Sequence, residues 1–204
     1  MQKLKLARAV SISLALAFTG YATGETMSKD QHSTEKDKIA SEYKSHKANC
    51  ANMSGNAKDV CKADAEGKEK VAKANLEMNY KPSSKATYEA KLAKAEHEYE
   101  VANEKCDDLS GNNKDVCVKA AKDARVHAKS DAKIQMETDK AQVKVSDATG
   151  DANQKASAKI ADAKQDAAKD KRNADYALAK EKCDSLSGDA KDTCVSKAKT
   201  RYAQ

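Results

Sequence analysis

Large apolar and aromatic side chains are scarce in this chain. It has no Trp, one Phe (Phe18) and one Pro (Pro82) in 204 residues. From residue 23 onward Val, Ile and Leu together number 17. A layered α/β enzyme, a β-sandwich or a β-barrel needs far more bulk than this to fill its core. Such folds are excluded. What the chain has instead is alanine (38) and lysine (34), within a composition that is 34% charged. Long Ala/Lys/Glu/Asp helices packed through narrow seams fit this composition, and disorder is the other option it leaves.

The first segment reads as a targeting signal. Lys3, Lys5 and Arg8 precede an apolar run, Ala9 to Phe18, and the small residues Gly20 and Ala22 follow. The order basic, apolar, small is that of a cleavable secretory signal over residues 1–22. The run is too short to anchor in a bilayer, and no Cys follows it to carry a lipid. Export from the cytoplasm is the expectation, with no membrane span after cleavage. Removing the three bases of this segment leaves 35 bases against 32 acids. Acids and bases alternate along the rest, Arg is rare, and stacking aromatics are few. No nucleic-acid partner is expected.

Six cysteines form three pairs of equal separation: Cys50/Cys61, Cys106/Cys117 and Cys183/Cys194. The intervals read CANMSGNAKDVC, CDDLSGNNKDVC and CDSLSGDAKDTC. Seven residues before each first Cys stands a tyrosine, Tyr43, Tyr99 or Tyr176, and each follows an acid, Glu42, Glu98 or Asp175. Three copies mark an internal repeat. Its physics is helix, turn, helix. Gly55, Gly111 and Gly188 sit where a helix end favours a left-handed residue. Asn56, Asn112 and Asp189 are good N-caps, and Asp59, Asp115 and Asp192 then place an acid in the first turn.

Seam spacing precedes each turn: Ile39, Tyr43, His46, Cys50 and Met53, then Tyr88, Leu92, Ala95, Tyr99, Ala102, Cys106 and Leu109. Steps of three and four are the pattern of helices packed at a shallow angle. On one continuous helix, cysteines eleven apart would be about 16 Å apart and could not bond. Across a hairpin they face each other, so local pairing is expected, and an oxidising compartment favours it.

These readings give an all-α fold of up-and-down, coiled-coil-like helical hairpins with alanine-rich seams, stapled by three local disulfides. Residues 23–33 are expected as a polar flexible leader and 34–204 as the repeated hairpin region. Turns fall near 55, 111 and 188, with breaks at the other end near 82 and 150. Six helices are predicted, near 34–54, 57–79, 84–109, 113–148, 152–186 and 190–202. The spacer from Cys61 to Cys106 covers 45 positions, and that from Cys117 to Cys183 covers 66, so the second pair of arms is longer. Whether it folds back at Gly150 or continues as one rod stays open, because a single Gly costs a helix only about 1 kcal/mol.

The residues offer little for catalysis. The acids are mixed with Lys at helical spacings, as in solvated ion pairs. His46 and Cys50 stand at i and i+4, a spacing that can hold a metal, but the other repeats have Ala102 and Ala179 in place of His46. His32, His97 and His127 read as lone surface or seam residues. No close Cys pair such as C-x-x-C points to redox work. No enzyme activity, catalytic residue, cofactor or metal is therefore predicted. The three tyrosines read as seam residues, with an exposed tyrosine face as the sharper alternative. Lys58-Asp59, Lys114-Asp115 and Lys191-Asp192, repeated at one end, are the candidate partner surface.

The signal, the Ala/Lys-rich helices and the units EKCDDLSGNNKDVC and EKCDSLSGDAKDTC resemble an Ala/Lys-rich, Cys-repeat helical family of exported proteins of beta-proteobacteria. Its members are often labelled "cell envelope biogenesis protein TolA". The resemblance covers essentially all of the chain after the signal and implies a periplasmic, helical protein with no established activity. Residues 151–172 are also similar to desiccation-protective proteins of the late-embryogenesis type. Two functions are carried forward: a non-enzymatic periplasmic scaffold or spacer with protein partners of the envelope, open to oligomerisation, and a stress-protective or holdase-like protein. A metal- or redox-binding role is the third.

Overall fold

The computed structural model of the chain describes residues 27–145 and 150–204. The signal reading over 1–22 and the stretch 146–149 lie outside the described residues. Six helices are present among the described residues: α1 (Lys29–Ala51), α2 (Gly55–Tyr80), α3 (Ser84–Cys106), α4 (Gly111–Val145), α5 (Gly150–Cys183) and α6 (Gly188–Tyr202). No helix of the described residues is long and apolar enough to cross a membrane.

Each helix packs on its neighbours in sequence, and among the described residues no two non-consecutive helices meet. The result is an open up-and-down meander instead of a closed bundle. Paired residues show the antiparallel course. α1 and α2 are tied by Cys50–Cys61 at one end and by His32–Glu77 at the other. α3 and α4 are joined at their shared tip by Cys106–Cys117, and α5 and α6 by Cys183–Cys194. α4 and α5 are linked by Lys119–Glu181, His127–Asp175 and Lys133–Asp166 along their length. The chain therefore folds back near Gly150, which leaves all three cystine turns at one end. By the helical rise, the 35-residue α4 is about 50 Å long and the 23-residue α3 about 35 Å. The far parts of α4 and α5 accordingly run on past α3.

The core is thin. Apart from the cysteines, Ile39 and Leu76, the buried apolar side chains among the described residues are all alanine. The largest fully buried side chains are Cys50, Cys106 and Cys183. Alanine seams let helix backbones approach closely and cost no rotamer entropy on burial. Each such contact also removes little apolar area from water.

Several boundaries differ from expectation, each for a local reason. α1 starts at Lys29, so residues 29–33 are helix and not leader. Ser28 and Gln31 form a reciprocal capping box there, and His32 then stacks on Tyr80 with ring centroids 4.3 Å apart. α1 ends at Ala51 and α3 at Cys106. Met53 and Leu109, expected in the seam, are therefore turn residues and are exposed. The Pro82 break is as expected, with Ser83 accepting from the Ala86 N–H at 3.0 Å to cap α3.

Gly67 lies buried in the middle of α2, where glycine costs helix stability. The reason is the His97 ring of α3. A Cβ at Gly67 would lie 1.9 Å from His97 Nδ1 and 2.9 Å from its Cβ. Gly67→Ala should lower the unfolding free energy by about 1–3 kcal/mol through overpacking. Adding His97→Ala should restore it, as read by chemical denaturation of the single and double variants. Additive losses would refute the steric account.

Candidate functional site

The repeated unit builds three copies of one tip. Its cysteines are bonded in the expected local pairs: Cys50–Cys61, Cys106–Cys117 and Cys183–Cys194, with Cα–Cα distances of 5.6, 5.6 and 5.7 Å. The two halves of each cystine are not equivalent, which the equal spacing did not foretell. Cys50, Cys106 and Cys183 are sealed in the seam, whereas Cys61, Cys117 and Cys194 are only half-buried. The first cysteine ends the incoming arm on its seam face. The second stands on the outgoing helix, one to two turns after the glycine that starts it.

Gly55, Gly111 and Gly188 have φ of +57°, +54° and +54°. A Cβ at any of them would meet nothing within 4 Å, so backbone conformation and not space selects glycine there. Each of these glycines is the first residue of its helix. That corrects the capping assignment, because Asn56, Asn112 and Asp189 then lie inside the first turn and not at the cap. Ser54 and Ser187 occupy the N-cap of α2 and α6 without a side-chain cap bond. The Asn56 amide instead donates to the Glu104 carbonyl of α3 at 2.8 Å. Asp59, Asp115 and Asp192 fall beyond the first turn.

The repeated lysines close the turns from within. Lys114 reaches Asp107 at 3.0 Å and Lys191 reaches Asp184 at 2.9 Å, each acid being the residue after the first Cys. In the first copy that position is Ala51, and Lys58 donates to its carbonyl oxygen at 3.4 Å. The hydrogen bond from Lys191 holds the Asp184 carboxyl below its usual range and raises the Lys191 ammonium. Asp59, Asp115 and Asp192 remain exposed. The residues facing outward in all three tips include Met53, Leu109 and Leu186, 44%, 44% and 43% exposed. They occupy one repeat position.

The tyrosines Tyr43, Tyr99 and Tyr176 are half-buried, as seam residues would be. Tyr99 also carries the Arg125 guanidinium of α4 over its ring at 3.9 Å. Arg125 and Lys129 in turn grip Glu96 of α3 at 3.1 and 2.9 Å. Burial alone would push the Glu96 carboxyl up, but the hydrogen bonds from Lys129 and Arg125 outweigh it and hold the carboxyl below its ordinary range. This network ties α3 to α4 by charge, beside buried alanines.

The histidines are not equivalent to one another. His46 is exposed, His32 bonds Glu77 at 2.8 Å, and His97 lies 3.5 Å from Asp64. His127 of α4 is the one that gathers acids from two helices. Its Nε2 lies 3.0 Å from Asp175 Oδ1 of α5 and 3.7 Å from Asp123 Oδ1, one turn back on α4. The potential ligand atoms of all three lie within 4.8 Å of one another. Asp123 Oδ1 is shut off from solvent and has no hydrogen-bond partner. Burial pushes the Asp123 carboxyl up and the Asp175 carboxylate adds to this, while His127 and Lys182 oppose it.

Sequence reasoning missed this constellation. Asp123 and His127 show as an i, i+4 pair, but Asp175 stands 48 residues beyond His127. Only the fold-back and its register join them.

No protein-family model, curated protein or solved structure matches the chain.

Two outcomes follow from these charges. Glu96 is depressed in the folded chain, so its contribution is full above the ordinary carboxyl range and fades as pH falls through the lowered value. Thermal melts should hold level from pH 7 to about 5 and drop below about 4.5, and Glu96→Gln should cost about 1 kcal/mol at pH 7 while flattening the acid limb. Asp123→Asn, by contrast, removes a carboxylate whose Oδ1 is shut off from solvent without a hydrogen bond and which stands beside a like charge. It should raise the melting temperature at pH 7, and a lowered one would show Asp123 to be structurally paired.

Proposed function

We propose that the chain is a non-enzymatic scaffold or spacer of the bacterial envelope, working in the periplasm and presenting its three cystine tips to protein partners. The observation that carries this is the repeated exposure of Met53, Leu109 and Leu186 at one end of the meander. A chain so poor in large apolar residues leaves one outside at the same repeat position three times. Contiguous apolar surface marks contact sites, and the meander brings these three knobs to one end. The bonded cystines, the positive-φ glycines and the lysine clamps favour fixed geometry over a fluctuating surface. Three formed disulfides suit an oxidising compartment, in line with the leader-like first segment and the resemblance to exported Ala/Lys-rich proteins.

On the charged rims the lysines are engaged within the chain while Asp59, Asp115 and Asp192 are exposed, Asp59 beside Lys62 at 3.1 Å. A partner would therefore meet an apolar knob beside an acid at each tip. That refines the candidate surface, in which Lys58, Lys114 and Lys191 serve to close the turns.

A holdase would act otherwise, through broad and adaptable apolar surface. The two readings separate in one experiment on the oxidised chain. With a heat-denatured client, no suppression of aggregation is expected below equimolar ratio, and small-angle scattering should give a maximum dimension that is insensitive to salt. Suppression at low molar ratio, or a dimension that swells and shrinks with ionic strength, would overturn the scaffold reading in favour of the protective one.

A further inference from the structure

We propose that Asp123, His127 and Asp175 form a site for a first-row divalent cation, with Zn2+ best matched to the donors, held across the α4–α5 seam. The inference is independent of the scaffold reading, which concerns the tips.

The distances from the imidazole to both carboxylates fit one ion, and the two carboxylates lie within 4.8 Å of each other. Zinc lies about 2.0–2.2 Å from imidazole nitrogen and carboxylate oxygen, so two donors on the same ion are separated by at most about 4.3 Å. The His127 distances of 3.0 Å to Asp175 and 3.7 Å to Asp123 fall inside that limit. Asp123 and His127 are one turn apart and share a face of α4, while Asp175 approaches from α5. The hairpin that sets this distance is clamped on both sides, by Lys119–Glu181 toward the tip and Lys133–Asp166 away from it. The frame is thus held by contacts other than the ligands themselves.

A plain ion pair accounts for only part of the cluster. His127 and Asp175 suffice for one hydrogen bond. Asp123 Oδ1 stays 3.7 Å from the imidazole, shut off from solvent and without a hydrogen-bond partner. A buried carboxylate oxygen left in that state is costly unless a cation meets it. The imidazole disfavours Ca2+ and Mg2+, which take oxygen ligands, and favours zinc or its neighbours. Side-chain exposures of 36% for His127, 36% for Asp175 and 18% for Asp123 leave a path from solvent. Three protein ligands also leave a position open for water or a small ligand. The other repeats do not carry the set. Gly67 and Thr200 stand at the position of Asp123, and Val71 and Gln204 at that of His127.

The test uses the untagged, disulfide-bonded chain titrated with ZnCl2 by calorimetry and with CoCl2 by visible absorption. One equivalent should bind, Co2+ should develop ligand-field bands, and Zn2+ should raise the melting temperature. His127→Ala and Asp123→Asn should each weaken binding at least tenfold with helical circular dichroism unchanged, whereas His46→Ala on exposed α1 should bind as the parent does. Absence of saturable binding below millimolar Zn2+ overturns the proposal. So does binding that survives both His127→Ala and Asp123→Asn.

Discussion

A disulfide at the base of each tip is the constraint on which the rest of this molecule depends. The first cysteine of each pair is the most deeply buried side chain of its neighbourhood, in seams otherwise lined mostly by alanine. Closing a loop of about twelve residues contributes roughly 3 kcal/mol in the loop-entropy model. A seam of methyl groups contributes little per contact. The cystines therefore set the start of each hairpin, and the seams only have to continue a register already imposed. The glycine at positive φ and the lysine reaching back over the turn serve the same junction.

Because helices meet only their sequence neighbours, the chain has no closed interior among its described residues. Each seam is stabilised on its own, and the polar contacts that do this differ from seam to seam. His32 on Glu77 and Tyr80 fastens α1 to the end of α2. His97 over Gly67, next to Asp64, occupies the α2–α3 seam. Glu96 with Arg125 and Lys129 joins α3 to α4. The α4–α5 seam has its row of lysine–acid pairs and the Asp123–His127–Asp175 group. The repeat is thus strict at the tips and free along the arms. Individual arms can acquire a property, such as a cation site, that the other arms lack.

Much of this was legible from residues. The three local disulfides, the turn glycines, the Pro82 break and the six helices follow from spacing and from the conformational demands of Gly and Pro. The misread boundaries cluster at caps. Ser28 with Gln31 does not stand out in the sequence because the polar run around it lacks seam residues. Asn56 reads as a cap from the sequence because an amide side chain suits both a cap and a cross-seam hydrogen bond. Met53 and Leu109 continue the three–four spacing on paper, but the helix ends before reaching them. Spacing also treats both cysteines of a pair alike, and so it does not reveal that Cys183 is sealed while Cys194 stays half-buried.

The class of fold and its staples are legible in the residues, because those are local matters. A left-handed glycine, a fixed interval between cysteines and a shortage of large apolar side chains act within one or two turns of chain. Only the tertiary structure decided whether α4 and α5 fold back, which side chains remain outside at the tips, and that Asp175 meets Asp123 and His127. Those outcomes depend on register between segments tens of residues apart. In an alanine seam many registers bury nearly the same area, so spacing alone does not select one. The cystines and the charged pairs across each seam do.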